Sequence, residues 1–516
     1  ITGGDRIQIS YGMNRGLSFQ NAHNIVFRNC TFTGFQKAII LNYCANITFD
    51  NCTFNGGSMR NILNSACITM EHCRDITIRN CTFIDHYRAI NIRNTGSQRT
   101  SANITIQNNK ILGCSIGIES TGSSGYYGLL VDSNIDGNTL ELSPWQKRRN
   151  PWGWSRDYVN SVHGISIYGY RLKITNTIGG RAMDRGETDG IDADGYGLHT
   201  TGNKDYPSGS GTWLTSTVEG ASWKLASLPC CKFCITIVVA GAGRNKTFGG
   251  YMGIKDRDVV VSDNNLLAWY TGLSIYFKNG TTANPKESHN SEVRNNNIVA
   301  MNYGIWYSTG YPQCTKVRFL TTQGNNISLD PAMYKVWSDT SGLPSTWSSA
   351  NGHNYLNPDA NGNHQRGLSI YNTSDMAWNS DSEGMRVVQP TIRSNTITLS
   401  SDKRGDGYDF PLYIGGKNTS WYYFLNGTVI DNIFNYGSYG LYIGFGTNTS
   451  QNDQAGETGG STNSVCERGS TFQGNSFYLV PNAFYGGLWN DTSGGMVGSF
   501  VVGNQGTVWG DNVRRD

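Results

Sequence analysis

Short runs that alternate apolar and polar residues recur along the first part of the chain. Residues 24–32 read NIVFRNCTF, residues 46–54 NITFDNCTF, residues 75–83 DITIRNCTF and residues 103–111 NITIQNNKI, and their starts are 22, 29 and 28 residues apart. In each copy an alternating run is followed by a polar bend and a second short run. This pattern predicts a strand, a bend and a second strand.

A third short apolar run lies between the copies, at residues 38–41 (AIIL), 89–92 (AINI) and 116–118 (IGI). Three short strands in every 22 to 29 residues predict one coil of a parallel β-solenoid. One coil cannot bury its inward face alone, whereas coils stacked about 4.8 Å apart bury a continuous apolar column and pair every backbone group. Asparagine at the bend tolerates left-handed backbone, and successive asparagines are expected to hydrogen-bond along the stack.

Weaker copies continue towards the C-terminal end, at residues 258–266, 291–298, 321–327, 391–397, 428–434 and 471–477. We therefore expect residues 1–516 to form one β-helical domain. Insertions rich in glycine, serine, tryptophan and tyrosine lie near residues 143–158, 200–232 and 332–366. Such insertions project from the side of a solenoid and are expected to build the binding surface.

Composition excludes several classes of protein. Charged residues are 15% of the chain, against roughly 25% in ordinary soluble domains, and 64 residues are glycine, so coiled coils, helical bundles and charge-rich disordered chains are excluded. The net charge of +3 gives no strong field, so we expect no nucleic-acid partner. The longest apolar run, residues 235–242, is far shorter than the roughly 20 residues that span a bilayer, so we expect no membrane insertion.

The twelve cysteines lie mostly in strand-like segments of a long chain, which favours buried thiols over a disulfide framework. Cys30, Cys52 and Cys81 follow the bends and are expected to pack as a ladder of like residues. Cys231 and Cys234 form a CxxC pair, but no second pair follows at zinc-ligand spacing. The sequence therefore predicts neither a metal site nor a cofactor.

The repeated NCTF coils and their asparagine bends resemble the right-handed parallel β-helix of the pectin-lyase-like superfamily over most of the chain. The resemblance implies an all-β fold, a right-handed single-stranded parallel β-helix with long loop insertions. The superfamily includes pectate lyases, polygalacturonases, alginate lyases and epimerases, and bacteriophage tailspike depolymerases. Its members usually open with a capping segment and an amphipathic helix. Neither is present here, so we expect the N-terminal cap to be absent from this chain.

Three features favour the tailspikes within that superfamily. The cysteines show no disulfide pattern, which suits assembly in a reducing cytoplasm. The sequons at Asn46, Asn51 and Asn80 lie within predicted strands, where a glycan would not fit. The insertions are aromatic and polar, as a carbohydrate groove requires. The resemblance implies a homotrimer on a virion tail, with a secreted bacterial protein as the alternative location.

The densest acidic segment, residues 187–199 (ETDGIDADGYGLH), is the candidate catalytic site. Hydrolysis of a glycosidic bond uses two carboxylates, and four are available here, from Glu187, Asp189, Asp192 and Asp194. Strand alternation would place the side chains of Asp192 and Asp194 on one face, about 6.5 to 7 Å apart. This separation lies within the ~6.5–9.5 Å range of inverting glycosidases. Residues 188–192 (TDGID) also resemble the polygalacturonase motif, and that match carries over Asp189 and Asp192.

Two alternatives to catalysis remain open for this segment, a polar glycine-rich turn and a calcium site. The rest of the polygalacturonase signature is out of order, because residues 163–167 (HGISI) precede the acidic motif. Two further acidic pairs, Asp381 with Glu383 and Asp406 with Asp409, are interpreted as solvated turn residues.

Aromatic and basic residues near the acidic segment are the candidate substrate contacts, because sugar rings present apolar C–H faces to aromatic side chains. They are Trp145, Trp152, Trp154, His163, Arg181, Tyr196 and His199. Trp269, Tyr270, Trp306 and Tyr307 are either a second platform or strand packing. A lyase would instead need a base and a cation, for which Lys173, Arg181 and His199 are candidates. No dense cluster of lysine and arginine is visible in the sequence.

The sequence therefore predicts an endo-acting, tailspike-like hydrolase of a bacterial surface polysaccharide, such as an O-antigen, capsule or exopolysaccharide. A pectin-lyase-like polysaccharide lyase is the first alternative. A non-catalytic carbohydrate-binding adhesin is the second.

Overall fold

The computed structural model describes 23 separate stretches of the chain, and every element in them is a β-strand. The stretches are residues 8–10, 15–59, 65–94, 100–122, 129–142, 163–182, 233–240, 259–268, 270–278, 286–300, 302–309, 315–329, 365–372, 385–400, 409–416, 422–437, 439–445, 465–468, 470–480, 482–490, 495–496, 508–510 and 513–515. Within them we find no helix that could serve as a transmembrane span.

The chain divides into two compact units. Unit 1 comprises Ile1–Thr236, Asn264–Tyr270 and Pro331–Asn363, and unit 2 comprises Ile237–Asp263, Thr271–Asp330 and His364–Asp516. The strand Phe233–Ala240 begins in unit 1 and ends in unit 2.

Unit 1 winds through three rows of parallel strands, so that each coil contributes one strand to each row. The first row contains Arg15–Gln20, Lys37–Asn42, Ala66–Glu71, Arg88–Asn94, Ile116–Gly122 and the start of His163–Thr175. The second contains His23–Arg28, Ala45–Asp50, Arg74–Arg79, Thr100–Gln107, Leu129–Asp136 and the end of His163–Thr175. The third contains Gln8–Ser10, Thr31–Thr33, Thr53–Met59, Thr82–His86, Lys110–Leu112, Thr139–Leu142, Ile178–Ala182 and Asn265–Leu267.

Unit 2 also winds through three rows of parallel strands, and it has an additional row between its own first and second rows. The first row contains Thr271–Lys278, Tyr303–Thr309, Arg366–Asn372, Phe410–Gly416, Tyr439–Phe445 and Asn482–Asn490. The additional row contains Lys286–His289, Thr315–Arg318, Met385–Val388, Tyr422–Leu425 and Val465–Arg468. The second contains Val259–Ser262, Ser291–Arg294, Thr321–Gln323, Thr391–Arg393, Thr428–Ile430, Thr471–Gln473 and Val508–Gly510. The third contains Asn297–Ala300, Asn326–Leu329, Thr396–Thr398, Ile433–Asn435, Ser476–Tyr478 and Val513–Arg515, and Gly495–Met496 pairs antiparallel with the last strand of the first row.

The inward side chains of successive coils stack on one another. Phe32, Phe54 and Phe83 of the third row are fully or almost fully buried, and their rings stack at centroid distances of 4.9 and 5.0 Å. The ring spacing equals the strand spacing, because identical residues at one register position repeat with each coil. The predicted apolar column is thus confirmed.

The bend between the second and third rows is two residues long in every described coil. Its first residue has left-handed backbone, as at Asn29, Asn51, Asn80 and Asn108, with φ of 53 to 56°. Asparagine reaches this conformation at low cost because its short polar side chain can bond locally. The predicted role of asparagine at the bend is confirmed.

The second bend residue points inward and forms a ladder. In unit 1, the side-chain amide of Asn109 donates to Asn138 Oδ1 at 3.0 Å. In unit 2 the ladder runs through Asn296, Asn325, Asn395, Asn432 and Asn475, at 2.9 to 3.0 Å between successive side chains. These side chains also bond backbone groups, so the buried polar atoms of the bend are satisfied.

The cysteine ladder precedes the asparagine ladder in unit 1. The amide of Cys52 donates to Cys81 Sγ at 3.4 Å, and the amide of Cys81 donates to Asn109 Oδ1 at 2.9 Å. The eight cysteines whose side chains are described are all buried thiols, which confirms that prediction for them. They are Cys30, Cys44, Cys52, Cys67, Cys73, Cys81, Cys114 and Cys234.

Candidate functional site

The outward face of the first row is the part of unit 1 next to the variable connections. The bend from the second to the third row never exceeds two residues, whereas the longer connections enter or leave first-row strands. Residues 60–64 and 143–162 precede such strands, and residues 95–99 and 123–128 follow them. Function in solenoids concentrates where connections vary in length on a rigid scaffold. We therefore place the candidate site on this face.

Polar side chains form lines across this face because the strands are parallel and in register. One line contains Thr69, Asn91, Glu119 and Ser166. The first two are only 3% and 7% exposed, although they point away from the apolar column. Their burial creates an environment of reduced dielectric in which charged neighbours interact strongly.

Three arginines on this row influence Lys37 electrostatically, and we call the four residues the cationic cluster: Arg15, Lys37, Arg88 and Arg93. Lys37 is in register with Arg15 on one side, and Arg88 lies two strands away on the other. Burial lowers the pKa of the Lys37 ammonium, and the positive charges of Arg93, Arg15 and Arg88 lower it further. Catalytic lysines often have a lowered pKa and arginines bind carboxylates, so the cationic cluster is a candidate site.

Arg88 is held in place by its neighbours. Its Nε donates to Glu119 Oε2, and the two side chains are 13% and 19% exposed. Its guanidinium also lies 4.6 Å from the centre of the Tyr87 ring. Arg15 and Arg93 are exposed, so they can reach a ligand. The cluster thus combines a fixed cation, two accessible guanidinium groups and an amine that loses its proton more readily than an ordinary lysine.

The predicted catalytic residues Glu187, Asp189, Asp192 and Asp194 lie outside the described residues, as do Trp145, Trp152, Trp154, Tyr196 and His199. His163 is half-buried at the start of its first-row strand, in the register line of Lys37 and Arg88. The backbone of Arg181 pairs with Glu141 in the third row. The exposed Lys173 pairs with Asn134 in the second row. Of the three candidates that the structure describes, His163 lies in the row of the cationic cluster, whereas Arg181 and Lys173 lie in other rows.

Other predicted residues have clear positions. Asp409 is only 7% exposed, and its Oδ1 accepts the amide hydrogen of Gln365 at 2.8 Å, so it is a buried capping group rather than a solvated turn residue. Trp306 points outward, whereas Tyr307 points inward and bonds Thr322 at 2.7 Å. Asp381, Glu383, Asp406, Cys231 and Trp269 lie outside the described residues. Among the side chains that the structure describes, no group of three or more His, Cys, Asp or Glu could hold a metal ion.

The sequence reasoning missed the cationic cluster because its members are far apart in the chain. A signal was nevertheless present. A basic residue directly precedes the short apolar run of the first row at Arg15 (RGLSF), Lys37 (KAIIL) and Arg88 (RAINI). Aligning the third strand of each coil, and not only the NCTF segments, would have placed these residues in one line.

The comparisons with known proteins bear on the fold. Residues 4–177 match the Beta_helix family model, a right-handed β-helix region. Two solved structures are similar, each at 12% identity. One is DFA-IIIase from Arthrobacter chlorophenolicus A6 without its lid, with a TM-score of 0.30 over 85% of this chain and 74% of that chain. The other is a mutant PL6 family alginate lyase, with a TM-score of 0.22 over 96% of this chain and 70% of that chain.

No curated protein matches the sequence. The family match and the strand topology together confirm the predicted right-handed parallel β-helix.

Proposed function

We propose that this chain is a polysaccharide-cleaving enzyme whose substrate is acidic, and that the cationic cluster binds the carboxylate groups of its uronate residues. The single observation that carries the proposal is Lys37, placed among Arg15, Arg88 and Arg93 on the face next to the variable connections. Guanidinium groups bind carboxylates through paired charge-assisted hydrogen bonds.

The chemistry that fits this cluster best is β-elimination, the lyase alternative. Arginine neutralises the uronate carboxylate, which makes the adjacent C–H more acidic. The Lys37 amine then accepts that proton, the glycosidic C–O bond breaks as a C=C bond forms, and the departing alkoxide oxygen takes up a proton from water. The lowered pKa raises the fraction of neutral amine that is available as the base.

Hydrolysis is the second candidate, and the acidic segment at Glu187, Asp189, Asp192 and Asp194 favours it. Two carboxylates of that segment would act as the acid and the base of an inverting reaction. In this second proposal the chain cleaves a bacterial surface polysaccharide. It assembles as a homotrimer and is located on a virion tail. Sedimentation of a monomer at micromolar concentration would contradict the trimer.

The first experiment is incubation with polygalacturonate, alginate and purified bacterial capsules and O-antigens, followed by mass spectrometry of the released oligosaccharides. Elimination gives unsaturated products that are one water lighter than the hydrolytic products. We expect unsaturated products from at least one uronate polymer. Saturated products would overturn the elimination proposal in favour of hydrolysis, and binding without products would favour the adhesin.

Lys37→Gln tests the assignment of the base. We expect turnover to fall by about 100-fold or more, the usual contribution of a general base, while the polymer still binds. Lys110→Gln is the matched control, because Lys110 is exposed on the third row of the same unit. Equal activity of the two variants would contradict the role of Lys37.

A further inference from the structure

The outward face of the first row in unit 2 is dominated by aromatic side chains. Ser274, Trp306, Ser369 and Tyr413 occupy one register line on four neighbouring strands. Their sequence neighbours, such as Ile305, point inward and are fully buried. Large rings and small serines therefore alternate along this line.

The rings next to this line pack against one another. Tyr303 and Trp306 stack at a centroid distance of 5.2 Å with 18° between their planes, and Tyr276 meets Trp306 at 5.7 Å with 59°. All three are half-buried and keep part of their surface exposed. The small side chains of Ser274 and Ser369 between them have no exposed surface.

A buried cation lies among these rings. Arg366 is only 8% exposed, and its guanidinium is 3.7 Å from the centre of the Tyr413 ring and 5.9 Å from that of Tyr303. An arginine stacked on two aromatic rings loses little further conformational freedom when a ligand binds to it.

The buried polar atoms in the line include Trp306 Nε1 and Ser369 Oγ, which have no hydrogen-bond partner among the described residues. They are in register on adjacent strands. A buried polar atom without a partner costs free energy until a partner is supplied. A ligand hydroxyl group can accept from the indole N–H and donate to the serine oxygen.

We propose that Tyr276, Tyr303, Trp306, Arg366 and Tyr413, the aromatic platform, form a second carbohydrate-binding site that stacks a sugar ring. This inference rests on the proposed function, because the ligand is a sugar unit of the polysaccharide that the chain is proposed to cleave. The exposed ring faces suit the apolar C–H face of a pyranose, while the indole N–H, the serine and the guanidinium suit its hydroxyl or carboxylate groups. Stacking on an uncharged ring is much less sensitive to salt than binding by the cationic cluster.

The test is affinity electrophoresis of the full chain in gels that contain polygalacturonate, alginate or neutral dextran, at low salt and in 0.5 M NaCl. The variants are Trp306→Ala, Trp306→Phe and Arg93→Gln, with Tyr478→Ala as the control. Tyr478 is an outward aromatic residue of unit 2, but it lies on the third row. Thermal unfolding is measured for each variant.

We expect Trp306→Ala to weaken binding by about two- to tenfold, corresponding to the usual energy of an aromatic contact, and by the same factor at both salt concentrations. Trp306→Phe should retain most of the affinity, and Tyr478→Ala all of it. The loss caused by Arg93→Gln should shrink in 0.5 M NaCl.

Each contrary outcome has a distinct meaning. If Trp306→Ala lowers the melting temperature or dissociates an oligomer but leaves affinity unchanged, the rings are packing or a contact between copies, and the inference is overturned. If Arg93→Gln weakens binding and Trp306→Ala does not, only the aromatic platform fails. If the unaltered protein binds dextran and not the uronate polymers, the acidic-substrate proposal fails while the platform stands. If it binds none of the three polymers, both proposals fail.

Discussion

Asn325 donates through its side-chain amide to Asn395 Oδ1 at 2.9 Å, although 70 residues separate the two in the chain. The side-chain oxygen of Asn325, Oδ1, accepts from both the backbone amide and the side-chain amide of Asn296, at 3.0 and 2.9 Å. One buried side chain therefore ties three successive coils together. The position of Asn325 does not depend on the length of the connection between coils, because the asparagine ladder links only the two-residue bends.

Replacing Asn325 by alanine should destabilise unit 2 by about 2–3 kcal/mol, because the buried donors of Asn296 lose their acceptor. The matched control is Asn326→Ala. That residue is exposed and makes one side-chain bond, to Asn297, so its loss should cost less than about 0.5 kcal/mol. Denaturant unfolding monitored by circular dichroism compares the two. Equal effects would mean that the ladder does not stabilise the coils.

Phe54→Ala should destabilise unit 1 by about 3–5 kcal/mol, the usual cost of removing a buried phenylalanine, because the ring lies stacked between Phe32 and Phe83. Phe54→Leu should cost much less because it leaves a smaller cavity. Val26→Ala serves as the surface control, since that side chain is 44% exposed. The free energy of unfolding of each variant provides the measurement, and a mild effect of Phe54→Ala would show that the column can collapse around the gap.

The fold was predictable from the sequence because its determinants are local and repeat with every coil. A bend residue such as Asn80 and the inward Cys81 that follows it recur at one place in each copy, and their neighbours are specified by the stacking. The additional row of unit 2 was not predicted. Its strands are only four residues long and carry weak alternation, as at Lys286–His289 and Met385–Val388.

The candidate site was much less predictable, because it depends on which coils become neighbours. Arg15, Lys37 and Arg88 come together only once the register of the first row is known. Trp306 and Tyr307 are adjacent in sequence, yet one faces outward and the other lies in the core. Periodicity shows that they face opposite sides of the strand, but not which side is the core.

Lys37 should react with amine reagents at lower pH than an ordinary lysine side chain does. Burial and the neighbouring arginines favour the neutral amine of Lys37, so its pKa lies below the ordinary value of 10.5. Arg93→Gln removes one repelling charge and should move the reactivity of Lys37 to higher pH. Arg28→Gln, on the second row, should leave it unchanged. Acylation over a pH series with peptide mass spectrometry gives the Lys37 profile of each variant, and a Lys37 profile that Arg93→Gln leaves unchanged would contradict the cationic cluster.

His86 should make the stability of unit 1 depend on pH. The side chain is 1% exposed, and burial lowers its pKa from the ordinary value of 6.5 to about 3. Between those pH values the unfolded chain binds a proton that the folded chain does not, so stability is lost as the pH falls below about 6.5, by up to about 1.4 kcal/mol per pH unit. His86→Leu removes the titrating group and should flatten this dependence even if the variant is less stable at neutral pH. Denaturant midpoints at pH 7.5, 6, 5 and 4 provide the comparison. Parallel curves for the two proteins would show that protonation of His86 does not change the free energy of unfolding.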